Sequence, residues 1–184
     1  DESEKWIREI AAAVGVECIL GESNLRICFE GELVILPGLL ARSSIIRYEK
    51  HYLGSVLAAH ALALSPGFGY VCIPSNYSYN HIAARGSTPV LDEMYSTENV
   101  RVVHDGAEVT RPVKLAKIIE WDKDLVLSRL RVCIMNRGGV YKCGECYKCV
   151  RTAVALRVLG LWEQARTFQN KSMDHWQNQL RWDH

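Results

Sequence analysis

The chain lacks a strong charge of either sign: 22 basic residues against 21 acidic ones leave a formal net charge of +1. No global field therefore draws it to nucleic acid or to a membrane, although basic residues can still segregate locally. It has no apolar run of about 18 residues, which excludes a transmembrane helix. A secretory leader is not expected, because the opening DESEK is mostly acidic. An initiator methionine is missing too, so a processed, trimmed or partial chain is expected.

What is present reads as an ordinary globular protein. The 184 residues suit one domain, or one domain with a small appendage, and suffice to bury a core without covalent staples. Seven cysteines are an odd number, and their placement is uneven. Four crowd into residues 133–149, while Cys18, Cys28 and Cys72 stand apart in apolar surroundings. A secreted disulfide framework would be smaller, with its cysteines spread in pairs. The pattern instead predicts a reducing compartment, the cytoplasm, with one metal site and three buried thiols.

Hydrophobic periodicity predicts a helix over residues 3–14, with Ser3 as N-cap and Gly15 as C-cap. Short strands are expected at 16–20, 25–29 and 33–36. Residues 45–64 carry the longest helical pattern, in which Ile45, Ile46, Tyr52, Leu53, Val56, Leu57, His60 and Leu64 would share a broad buried face. His60 there reads as a satisfied core histidine. A buried parallel strand is expected at 70–73, then a long functional loop or a set of short turns over 74–99. A strand at 100–104 and helices at 110–120, 124–130, 150–159 and 162–180 complete the pattern. Trp162, Phe168, Met173, Trp176 and Leu180 fall on one stripe of the last helix, suited to core packing or a dimer contact.

Helices alternating with short buried strands imply an α/β layered domain. In such sheets ligands bind beyond the carboxyl ends of the strands, here the segments after Ile73 and after His104. The expected division is an α/β domain over residues 1–130 and a cysteine knuckle with a helical tail over 131–184.

The four clustered cysteines follow the spacing Cys-x9-Cys-x2-Cys-x2-Cys. A Cys-x2-Cys step lets two thiolates face one ion from a tight turn, and Gly144 permits the curl through a positive φ. Gly138-Gly139 would let Cys133 fold back over the knuckle, and Lys142, Lys148 and Arg151 would offset thiolate charge. Cys133, Cys143, Cys146 and Cys149 are therefore expected to bind one structural zinc. An iron–sulfur cluster takes the same ligands, and a redox pair or chance clustering is the plainer alternative.

The run CGECYKCVRT at 143–152, with Cys133 upstream, resembles the zinc-binding tail of PP-loop ATP pyrophosphatases such as 7-cyano-7-deazaguanine synthase. The basic residue after the last cysteine is displaced by one position, since Arg151 comes two residues after Cys149. Residues 37–64, 70–80 and the helix carrying Lys114 are similar in position to later elements of that family. The segment GSTPVLDEMYSTENVRVVHDGAEVTRPVK also resembles ATP-dependent sugar-peptide epimerases and uncharacterised relatives. The resemblance implies a Rossmann-like parallel sheet of the adenine nucleotide alpha hydrolase type, with a zinc knuckle and helical tail. It implies ATP and magnesium as cofactors. It assigns Arg42 to the cofactor, with Ser43 and Ser44 beside it, although both serines also suit the N-cap of the long helix. The family's S-G-G-x-D-S phosphate loop does not occur in the 184 residues. Either that loop lies upstream in a parent protein or the activity has been lost.

Substrate contact is expected at residues 74–114. Tyr77, Tyr79, Asn80 and His81 follow the first strand of that region, and His104 and Asp105 follow the second. Arg111 and Lys114 share a helical face and could meet a phosphate or carboxylate, as catalytic charge-neutralising groups. Asp92 and Glu98 offer oxygen ligands for magnesium. Each has a plainer reading: His104-Asp105-Gly106 as a turn, Arg111 and Lys114 as a solvated face, and the tyrosines as packing residues.

Three functions follow as expectations. The first is part of an ATP-dependent enzyme that adenylates a small-molecule carboxylate and releases pyrophosphate. The second is a catalytically inactive, zinc-stabilised α/β binding module. The third, nucleic-acid binding through the basic residues near the knuckle, is disfavoured by near-neutral charge and the lack of an aromatic-basic stripe. No membrane partner is expected, and the aromatic tail suits a homodimer.

Overall fold

The computed structural model describes residues 2–25, 48–133, 135 and 143–168. The chain divides into two compact units, one of Asp1–Leu20 with Pro112–His184, the other of Gly21–Arg111. The boundary expected between residues 130 and 131 falls inside the first unit. Among the described residues no helix is long and apolar enough to cross a membrane.

The first unit opens with α1, Glu2–Val14. Ser3 lies inside this helix rather than at its N-cap. Its end is set as expected at Gly15, whose φ of 77° turns the chain. The Val16 N–H reaches the Ala11 carbonyl (3.0 Å) and the Gly15 N–H that of Ala12 (3.1 Å), the paired bonds of a Schellman ending. No strand forms at 16–20. Val16, Ile19 and Leu20 stay exposed there.

Three more helices complete that unit: α4 (Arg111–Trp121), α5 (Lys123–Arg129) and α6 (Tyr147–Val158). The Asp122 carboxylate accepts the Leu125 N–H at 2.9 Å, which caps α5 and separates it from α4. Leu115 and Ile119 of α4, Val126 and Leu127 of α5, and Val150, Ala153 and Leu156 of α6 form the core. Cys133 and Cys149 belong to the same core. From α1, Glu9 accepts the Arg129 Nε–H of α5 at 2.8 Å, and the Arg129 guanidinium lies 5.1 Å from the centre of the Trp6 ring. The expected helix at 162–180 is corrected over its described part. Residues Trp162–Gln164 and Arg166–Phe168 form two 3-10 turns. They fold Phe168 into the core, its ring 6.0 Å from that of Trp162.

The second unit is the α/β part. A π-type turn, Tyr48–Tyr52, leads into α2, Leu53–Ala63. Strand β1 (Tyr70–Pro74), the short helix α3 (Pro89–Glu93) and strand β2 (Arg101–Asp105) follow. The two strands pair in parallel, with Ile73 opposite His104. Parallel pairing requires a crossover, and residues 75–100 supply it as short turns plus α3. Thr88 caps α3 by accepting the Leu91 N–H, with Pro89 as its first residue. Ile73, Val100 and Val102 form the core of this unit, with Leu62, Val71 and Tyr95 packed against it.

Two expectations fail here for one reason. Helix α2 buries Gly54, Val56, Ala58 and Ala61, while Leu57, Leu64 and His60 are exposed. At Gly54 the helix comes so close to the Gly86 carbonyl that a side chain would not fit, and the face carrying it is buried. His60 is therefore no core histidine; its Nδ1–H donates to the Val56 carbonyl at 2.6 Å along its own helix. Strand β1 is likewise only partly buried. Ile73 is enclosed, while Tyr70 and Cys72 are exposed. Of the three isolated thiols expected to be buried, Cys72 is exposed, Cys18 half-buried, and Cys28 lies outside the described residues.

Candidate metal centre

Sequence spacing and tertiary packing meet at the cysteines. Cys143 and Cys146 flank Gly144, whose φ of 73° curls the backbone so that both sulfurs face inward. Cys146 is the N-cap of α6, and Cys149 lies in its first turn. The positive end of the helix dipole therefore faces these two sulfurs. Cys133 arrives from the segment after α5 and completes the set.

One ligand atom from each of Cys133, Cys143, Cys146 and Cys149 lies within 4.8 Å of every other. The Cys146 and Cys149 sulfurs are 3.5 Å apart. A tetrahedral zinc with bonds of about 2.3 Å places its sulfurs about 3.8 Å from one another. The four thiols thus fit one tetrahedral ion with small side-chain shifts. They could hold a metal such as zinc.

Backbone amides already point at the sulfurs. The Cys143 N–H donates to Cys133 Sγ (3.4 Å), and the Cys146 and Glu145 N–H groups donate to Cys143 Sγ (3.3 and 3.5 Å). Such donors favour thiolate over thiol. Burial opposes them. It pushes the Cys149 thiol far above its ordinary 9.0, reinforced by the Cys146 thiol and opposed by the Gly144 backbone N–H. Cys143 is raised as well, again chiefly by burial. Desolvated thiolates packed together are costly without a cation to neutralise them. A divalent ion supplies that neutralisation, and its binding must release protons.

The basic residues expected to offset thiolate charge contribute unevenly. Arg151 is exposed on α6, Lys148 is half-buried, and Lys142 lies outside the described residues, as does Gly138-Gly139. Backbone N–H groups contribute to the polar environment of the sulfurs.

Of the described candidate substrate residues, Lys114 belongs to the first unit and the others to the second. Beyond β1, Tyr77, Tyr79 and Asn80 are exposed. The Arg85 guanidinium stacks 4.7 Å from the Tyr77 ring centre. His81 is exposed, its Nδ1 3.2 Å from Ser78 Oγ. The guanidinium of Arg111, the last residue of the second unit, donates to the Asn76 side-chain oxygen at 3.0 Å. Lys114 is half-buried on α4, and Asp105 is exposed at the end of β2. Arg42, Ser43 and Ser44 lie outside the described residues.

His104 is placed otherwise than as an open loop residue. It is 7% exposed, and its Nδ1–H donates to Asp92 Oδ2 at 2.6 Å. Asp92 is fully buried and also accepts from Ser87 Oγ at 2.7 Å. Its role as a magnesium ligand beside Glu98 does not fit this enclosure, since Glu98 is exposed while Asp92 is turned to protein donors. Sequence reasoning missed the pairing. Val90 and Leu91 are exposed on α3 while the acid beside them is buried, the inverse of the usual pattern, so no periodicity signals it.

Compared with known proteins, the chain matches no family model, no curated protein and no solved structure.

Proposed function

We propose that Cys133, Cys143, Cys146 and Cys149 hold one structural zinc ion in a chain that forms part of an ATP-dependent, carboxylate-activating enzyme. The observation that carries the zinc reading is the convergence of four sulfurs within 4.8 Å of one another. Four thiolates fill a tetrahedron and leave no open position, so the ion braces α6 against the segment that delivers Cys133 and does no chemistry. A single ion suits this tight grouping better than an iron–sulfur cluster, whose ligands bind separate irons.

The enzyme reading rests on the resemblance to PP-loop ATP pyrophosphatases, and two features support it. The second unit contains a parallel strand pair, the arrangement whose carboxyl ends receive ligands. Polar groups gather in the segments following those ends: Tyr77, Tyr79, Asn80 and His81 after β1, and His104 and Asp105 at the end of β2. In this reading the full sheet is Rossmann-like, and Arg42, Ser43 and Ser44 contact the nucleotide. Arg111 and Lys114 neutralise charge that develops on phosphate. Magnesium accompanies ATP, a small carboxylate is adenylated, and pyrophosphate leaves. The protein works in the cytoplasm, with a homodimer formed through its aromatic tail.

The lack of an S-G-G-x-D-S run in these 184 residues favours a second reading, a zinc-stabilised binding module without catalytic activity. Calorimetric titration with Mg-ATP separates the two, using the zinc-loaded chain and a version extended upstream. Saturable binding by the extended version, followed by pyrophosphate release with candidate acids, supports the enzyme. Absence of binding in both versions refutes it and leaves the module.

A further inference from the structure

The pair Asp92–His104 is built more elaborately than packing requires. The Asp92 carboxylate sits in the interior between α2 and β2, fully buried. Room for it exists only because residue 54 of α2 is a glycine: a Cβ there would collide with Asp92 Oδ1 and with the Gly86 carbonyl. The Gly54 N–H donates to that same carbonyl at 2.6 Å, which locks α2 to the loop carrying Ser87. Ser87 and His104 both donate to Oδ2, while Oδ1 is buried with no hydrogen-bond partner among the described residues. A buried pair kept only for stability would have its polar atoms sealed, because each unpaired one costs about 1–3 kcal/mol.

The ring of His104 shows the same one-sidedness. With Nδ1–H given to Asp92, the remaining ring nitrogen, Nε2, has no hydrogen bond among the described residues. Among the described residues no third metal-capable side chain joins Asp92 and His104. The one group of three or more metal-capable side chains among the described residues is the cysteine cluster. His104 also lies near the carboxyl end of β2, where parallel sheets receive ligands.

We propose that His104 is a proton-accepting catalytic residue, fixed in tautomer and orientation by Asp92, for a ligand bearing an O–H or N–H group. In the step, that O–H or N–H bond breaks and its proton forms the Nε2–H bond. The electron pair stays on the ligand atom, which becomes the nucleophile. The positive charge on the imidazolium is held by the Asp92 carboxylate, 2.6 Å from Nδ1. Asp92 is a positioning residue, and Ser87 orients it. The proposal stands whether or not this unit binds a nucleotide.

Diethyl pyrocarbonate, which acylates unprotonated imidazole nitrogen, is the probe, with peptide mapping by mass spectrometry on the full zinc-loaded chain. His104 should be acylated in the native chain. Asp92→Asn offers an amide N–H to Nδ1 and so moves the ring hydrogen to Nε2. Acylation of His104 should then fall by a factor of about ten or more, with circular dichroism and zinc content unchanged. An unmodified His104 in the folded native chain, or equal acylation in folded Asp92→Asn, overturns the proposal and leaves a sealed structural pair. If Asp92→Asn does not fold, nitrogen-15 spectra of the native imidazole decide. A protonated Nδ1 with a bare Nε2 supports the assignment, and a protonated Nε2 refutes it.

Discussion

Replacing Cys149 by serine tests the metal centre most sharply. The side chain is 0% exposed, so the new hydroxyl lies in the core of the first unit, where sulfur had been a ligand. Serine is close in shape but a poor zinc ligand at neutral pH. Outer partners of metal ligands alone are worth about 10–100-fold in affinity, so loss of a ligand itself should cost about 100-fold or more. That is about 2.7 kcal/mol at the tenfold rate of about 1.4 kcal/mol. A buried hydroxyl without a partner adds about 1–3 kcal/mol. The sum, about 4–6 kcal/mol, is a large share of the roughly 5–15 kcal/mol that stabilises an ordinary domain. At about 2–4 °C per kcal/mol for a chain of this size, the melting transition should fall by about 10–20 °C. Scanning calorimetry with zinc content by mass spectrometry reads both effects. Cys72→Ser is the control, because that thiol is exposed and outside the cluster. Its transition should move by no more than about 2 °C. Should Cys149→Ser keep one zinc per chain and melt with the native protein, the four-sulfur site is not structural and the reasoning fails.

Two further outcomes follow from other parts of the structure. Burial raises the Cys143 and Cys149 thiols above their ordinary 9.0, so in the metal-free chain their protonated forms stabilise the fold below that value and this contribution is lost as pH rises past it. Zinc needs thiolates and binds more tightly as pH rises. Urea titrations at pH 7 and pH 10 should therefore show stability lost in the metal-free chain and retained in the loaded one. Gly54→Ala should destabilise the second unit by about 1–3 kcal/mol, because the added Cβ meets Asp92 and the Gly86 carbonyl, where α2 and the loop cannot both stay. Thermal melts compared with Gly67→Ala, whose added Cβ meets nothing, check this.

The cysteine site was legible because its geometry is mostly local. Two Cys-x2-Cys steps and a glycine between the first pair place three sulfurs by turn and helix geometry alone, and only Cys133 needed the fold to bring it in. Helices α1, α4, α5 and α6 and strands β1 and β2 were legible too, through apolar spacing and, for α1, the glycine at position 15. These signals are written within a few residues of the chain. The sequence did not reveal which face α2 would bury. Its large apolar residues suggested one face, and the close approach of Gly54 to Asp92 and the Gly86 carbonyl selected another. Nor did it show Asp92 under His104, twelve positions away, beneath exposed Val90 and Leu91. Ligand spacing and the glycine stop at residue 15 are properties of a short segment, so sequence alone determined them. The enclosure of a hydrogen-bonded polar pair depends on what several segments leave room for, and only the tertiary structure decides that.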